Sequence, residues 1–70
     1  MLKFKLDGLE FIALCDLLKR VGFCENGGHA KAVIAKGLVK VNQETELRKR
    51  CKIREGSEVE FESEVIKVLK

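Results

Sequence analysis

Leu2, Phe4 and Leu6 alternate with Lys3 and Lys5 at the start of the chain, which is the period of a half-buried strand with its lysines turned to water. The period then changes. Asp7 and Glu10 have the spacing of a capping box, in which two side chains satisfy amides left free by an opening helix, so a first helix is predicted from near Gly8. Phe11, Leu14, Leu18 and Val21 recur at helical spacing beside Ile12 and Leu17, and Gly22 supplies a left-handed stop. Asn26 is placed to cap a second helix, predicted from Gly27 to Lys36, with Ala30, Val33 and Ile34 on its buried stripe and Gly37 closing it.

Beyond Gly37 the alternation returns. Leu38-Val39-Lys40-Val41-Asn42 reads as a strand with Val39 and Val41 on one face, and Asn42-Gln43-Glu44 as a turn. From Glu46 to Arg54 only Leu47, Cys51 and Ile53 are apolar among five cations, so this stretch is expected to be a loop or short edge strand that is not deeply buried. Glu55-Gly56-Ser57 makes a turn. Val59 and Phe61 then alternate with Glu58, Glu60 and Glu62, Ser63-Glu64 reverses the chain, and Val65 to Leu69 forms a final paired strand. One strand, two helices and then mainly strands predict an α+β domain, two antiparallel helices packed on a small, mainly antiparallel sheet.

Length and charge refine that picture. A chain of 70 residues supports one domain, residues 1–70, with one modest core. No apolar run is long enough to span a membrane, and Met1 to Lys5 is too short and too alternating for a secretory signal, so the cytoplasm is the expected location. The net charge of +3 hides an asymmetry. From Lys19 to Arg54 ten cations face three acids, whereas from Glu55 to Lys70 five glutamates face two lysines. Such a dipolar molecule steers polyanions to its basic middle and repels them from its acidic end.

The groups that carry chemistry are sparse. Cys15, Cys24 and Cys51 make an odd count without a Cys-x-x-Cys pair, so reduced thiols are expected and no disulfide framework. His29 matches no metal-ligand spacing with them, so neither a metal nor a cofactor is expected. A domain this small offers little concave volume for a nucleophile and its base or for paired carboxylates, so no enzyme and no small-molecule substrate is expected.

Ala30-Lys31, Ile34, Gly37, Val39, Val41 and Asn42, arranged as A-K-x-x-I-x-x-G-x-V-x-V-N, resemble the core of the ribosomal protein S-four type RNA-binding domain, as does the Ile53-x-x-Gly56 turn downstream. The resemblance runs from Glu10 to Phe61, and Arg48-Lys49-Arg50-Cys51-Lys52-Ile53 is also similar to the free-standing bacterial members of the YbcJ type. It implies an RNA-binding module built on an αL motif, with ribosomal or transfer RNA as partner. The family usually places Ser-Arg at the start of the second helix where this chain has Asn26-Gly27, so a phosphate-binding arginine is missing there.

Arg48, Lys49, Arg50, Lys52 and Arg54 form the densest cation run, suited to a phosphate backbone and otherwise a solvated loop. Gly27, Gly28 and His29 open the second helix with Lys31 one turn inward, where an anion could meet free amides unless the turn is an ordinary cap. Lys36 and Lys40 flank Gly37 and extend the candidate basic face, or serve solubility alone. Phe4, Phe11, Phe23 and Phe61 are expected in the core and not as stacking partners for bases. The resulting expectation is a monomeric module that binds structured RNA through backbone and shape. The alternative is an adapter that docks an acidic protein or a ribosome assembly intermediate.

Overall fold

The computed structural model describes residues 1–70. Its elements are β1 (Leu2–Lys5), β2 (Ile12–Ala13), α1 (Leu14–Arg20), α2 (Gly27–Ala35), β3 (Val39–Val41), β4 (Glu44–Thr45), β5 (Lys52–Ile53), β6 (Glu58–Phe61) and β7 (Glu64–Leu69). Five strands form a sheet in the order β1-β7-β6-β3-β4, and β2 pairs with β5 in a separate antiparallel ribbon. Only β1 and β7 run parallel, so the fold is the α+β arrangement with a mainly antiparallel sheet that the element order predicts. Neither helix is long and apolar enough to cross a membrane.

A single core joins the layers. Leu14, Leu17 and Leu18 of α1, Ala30 and Ile34 of α2, and Val39, Val59, Ile66 and Val68 of the sheet are sealed from water. Burying side chains of this size contributes about 1.5–3 kcal/mol each against an entropy cost of similar total size, which is how a chain this short stays folded. The alternation in β6 and β7 puts Val59, Phe61, Ile66 and Val68 inward, and Glu60 outward beside Lys40 of β3.

The second helix matches its sequence signals closely. The Asn26 side chain accepts a hydrogen bond from the His29 amide at 2.9 Å, and Gly37 follows the C-cap with φ of +77°. Two-residue turns at Asn42-Gln43 and Glu62-Ser63, all with positive φ, close the β3-β4 and β6-β7 hairpins. Asn42 suits such a site because its short amide tolerates the left-handed conformation. Its side-chain oxygen also accepts from the Glu58 amide at 2.9 Å, tying the turn to β6.

The first helix departs from expectation: it begins at Leu14, not near Gly8. Asp7 and Gly8 both have positive φ, 51° and 92°, and the Leu9 amide donates to the Leu6 carbonyl at 3.1 Å. The Asp-Gly pair is therefore a tight reversal rather than a cap, and Glu10 reaches Arg54 instead of a helix amide. Ile12, assigned by its spacing to the helix, is recruited into β2 by Ile53 across the ribbon. Ile53 corrects a second expectation. Although it lies among cations it is 1% exposed, because β2-β5 pairing turns it inward while Lys52 and Arg54 stay outside.

Ile53→Ala is expected to lower stability by about 2–5 kcal/mol, the range for emptying a sealed core site, whereas Lys52→Ala next to it stays within about 0.5 kcal/mol of the parent. Urea denaturation followed by circular dichroism distinguishes the two. Equal effects would place Ile53 outside the core.

Candidate nucleic-acid interface

The amides at the start of an α-helix have no partner within it, and a Ser, Asp or Asn side chain usually takes one. The N-cap of α1 is Ala13, which has no side chain able to do so. The basic segment supplies the acceptors instead. Leu14 donates to the Cys51 carbonyl at 2.9 Å and Cys15 donates to the Lys49 carbonyl at 3.0 Å, while Cys51 donates back to the Arg48 carbonyl at 3.2 Å. The backbone of residues 48–51 is thus pinned to the helix.

Glu46 and Arg48 lock the entry to this loop. The Arg48 amide and Nε each donate to Glu46 Oε2 at 2.9 Å, and Nη2 donates to Oε1 at 3.2 Å. This forked, charge-assisted contact, with the Arg48 side chain donating first and its amide second, holds the Glu46 carboxyl down at about 2. The Glu46 amide in turn donates to the Val39 carbonyl at 3.0 Å, fastening the lock to β3.

The five cations consequently fall into two groups. Arg48 is engaged by Glu46, and Arg54 Nη1 lies 3.2 Å from Glu10 Oε1. Lys49, Arg50 and Lys52 are exposed and form no ion pair. Arg48, Arg50, Lys52 and Cys51 line an open depression of about 500 Å³. Its walls offer donors and positive charge, which suits phosphate oxygens. Burial is the main cause that pushes the Cys51 thiol up, with Glu46 adding to it against Arg48, so the sulfur is not an activated thiolate at neutral pH. Cys24, also raised mainly by burial and then by Glu62, sits in the core.

The remaining sequence-predicted residues do not all converge on this loop. Gly27, Gly28 and His29 form the first turn of α2, with Lys31 just beyond. Asn26 occupies the His29 amide, while the Gly27 and Gly28 amides donate no hydrogen bond. Lys36 caps the other end of α2, about 13 Å along the axis at 1.5 Å per residue. That end is the one near the loop, for Gly37 packs by Thr45 and Leu47 at its entry. Lys40 sits on the sheet face away from the core, in register with Glu60. Glu46 and Glu10, absent from the sequence-based site, set the positions of two of its arginines, and Glu46, two residues before Arg48, was the one local signal for that.

The chain belongs to the S4 domain family, whose sequence pattern it matches over residues 4–69. The A-K-x-x-I-x-x-G-x-V-x-V-N residues are those that seal the core at Ala30, Ile34 and Val39 and turn the chain at Gly37 and Asn42. Among curated proteins it is 45% identical over 69 residues to YbcJ of Escherichia coli (strain K12), with 99% of each chain covered, and equally similar to YbcJ of Shigella flexneri. The solution structure of the E. coli protein, described as revealing an αL motif involved in RNA binding, resembles this one with a TM-score of 0.77 at 44% identity. The likeness covers 100% of this chain and 89% of that one.

The depressed Glu46 acidity fixes a pH dependence. A carboxyl whose folded value lies below its unfolded one adds stability above the ordinary carboxylate range, and that contribution is lost as pH falls through about 2. NMR signals of the Arg48 amide and Nε are therefore expected to titrate near pH 2, and Glu46→Gln to abolish that titration. A midpoint near 4 would contradict the lock.

Proposed function

We propose that the chain is an RNA-binding module that grips structured RNA, of the ribosomal or transfer class, by its phosphate backbone through the loop from Arg48 to Arg54. Membership of the S4 domain family supports the reading, as does similarity to a protein whose structure is described by an αL motif involved in RNA binding. The observation that carries it is the unpaired state of Lys49, Arg50 and Lys52 on a backbone held in place. Exposed cations presented close together on an ordered loop suit an anionic partner.

Arg48 and Glu46 build the loop, Lys49, Arg50 and Lys52 meet phosphates, and the shape of the RNA selects the target. No catalytic step belongs to this reading.

Replacing Lys49, Arg50 and Lys52 together by alanine is expected to lower the slope of log affinity against log salt by about two to three, at about 0.7–0.9 per lost phosphate contact. Fluorescence anisotropy with transfer or ribosomal RNA measures it, and an unchanged melting curve excludes unfolding as the cause. A folded variant with an unchanged slope would remove the loop from the interface and favour docking to an acidic protein.

A further inference from the structure

Phe11 is the one phenylalanine that the fold leaves without a core role. Phe61 is buried, Phe4 and Phe23 pack against the core cluster, and Phe11 is half-buried outside it. Its place follows from the β2-β5 ribbon. Ile12 pairs with Ile53 and both point inward, so Phe11, Lys52 and Arg54, each one position away, turn the other way. Phe11 thereby comes to the same outer face as Lys52 and Arg54. The Lys52 ammonium lies 5.0 Å from the centre of its ring and the Arg54 guanidinium carbon 5.3 Å, both within cation-π range.

An aromatic ring attracts cations without neutralising them, unlike the carboxylate of Glu46. Phe11 therefore holds two positive groups side by side at the edge of the basic depression, of which Lys52 is itself a wall. A phosphate backbone explains the cations, but it gives no reason for a half-exposed ring beneath them. The flat partner that recognises an aromatic ring and a guanidinium plane together, next to a phosphate-binding loop, is an unstacked nucleobase.

We propose that Phe11, together with Arg54 and Lys52 over its ring, receives one unpaired base, bulged or from a loop, of the RNA whose backbone the basic loop holds. The proposal rests on the RNA-binding reading above and adds a preference for interrupted helices. Lys49 and Arg50 take the flanking phosphates, and Arg54, steadied by Glu10, stacks with the base.

The test uses two hairpin RNAs that differ by a single bulged 2-aminopurine. The parent is expected to bind the bulged hairpin more tightly and to quench its fluorescence. Phe11→Leu keeps the apolar bulk but not the stacking plane. It should lose the quenching and about 5- to 100-fold in affinity for the bulged RNA, leave the uninterrupted hairpin within about 2-fold, and keep the salt slope. Phe11→Tyr should retain the parent's behaviour, which excludes a folding defect as the cause. Equal binding of both RNAs by the parent, an unaffected Phe11→Leu variant, or equal loss on both hairpins would each overturn the proposal. Lys49→Ala with Arg50→Ala separates it from the underlying reading, because that pair should weaken both hairpins alike and reduce the salt slope. If the parent binds neither RNA, the reading and the proposal fall together.

Discussion

Two hydrogen bonds from the opening turn of α1, Leu14 to the Cys51 carbonyl and Cys15 to the Lys49 carbonyl, hold the basic loop in place. A helix whose N-cap is Ala13 needs acceptors from elsewhere, and a loop dense in cations needs a reason not to spread under its own repulsion. Each meets the other's need. The Lys49 and Cys51 carbonyls face the helix, the Lys49, Arg50 and Lys52 side chains stay exposed, and Ile53 drops into the core to anchor the far end. The entropy cost of ordering this loop is then met during folding.

Pairing matters more than summed charge in deciding which cations are available. On the outer face of the sheet Lys67 lies 3.5 Å from Glu58, and Lys40 stands in register with Glu60, so acids and cations are interspersed there. Within the basic run Glu46 and Glu10 engage Arg48 and Arg54. Exposed pairs of this kind add little stability, about 0–1 kcal/mol. Their value here is geometric, since a guanidinium held by two hydrogen bonds shapes the loop around it. Within that run Lys49, Arg50 and Lys52 are left without an ion pair, a shorter stretch than the segment sums imply.

Local pattern revealed the parts of the fold that local rules govern. Asn26, the buried stripe of α2 and Gly37 act within one helix, and the alternation of Val59, Phe61, Ile66 and Val68 acts within single strands, so each was legible. The family motif was legible for the same reason, as its residues fill the core or make turns. Asp7-Gly8 was misread because an acidic residue before a glycine serves a turn as well as a cap. The β2-β5 ribbon, the capping of α1 by the loop and the place of Phe11 all depend on residues about forty positions apart. No window of sequence contains both partners, and only the folded chain brings them together.

That the basic loop is a fixed part of the fold, and not a mobile tether, is the claim on which the rest stands. Backbone ¹⁵N relaxation of the free protein tests it directly at residues 48–52. Order parameters of about 0.85, like those of a rigid helix backbone, are predicted. Values below about 0.6 at these positions, with α1 and α2 rigid, would contradict the account and return the cations to a flexible segment that orders only on contact with its partner.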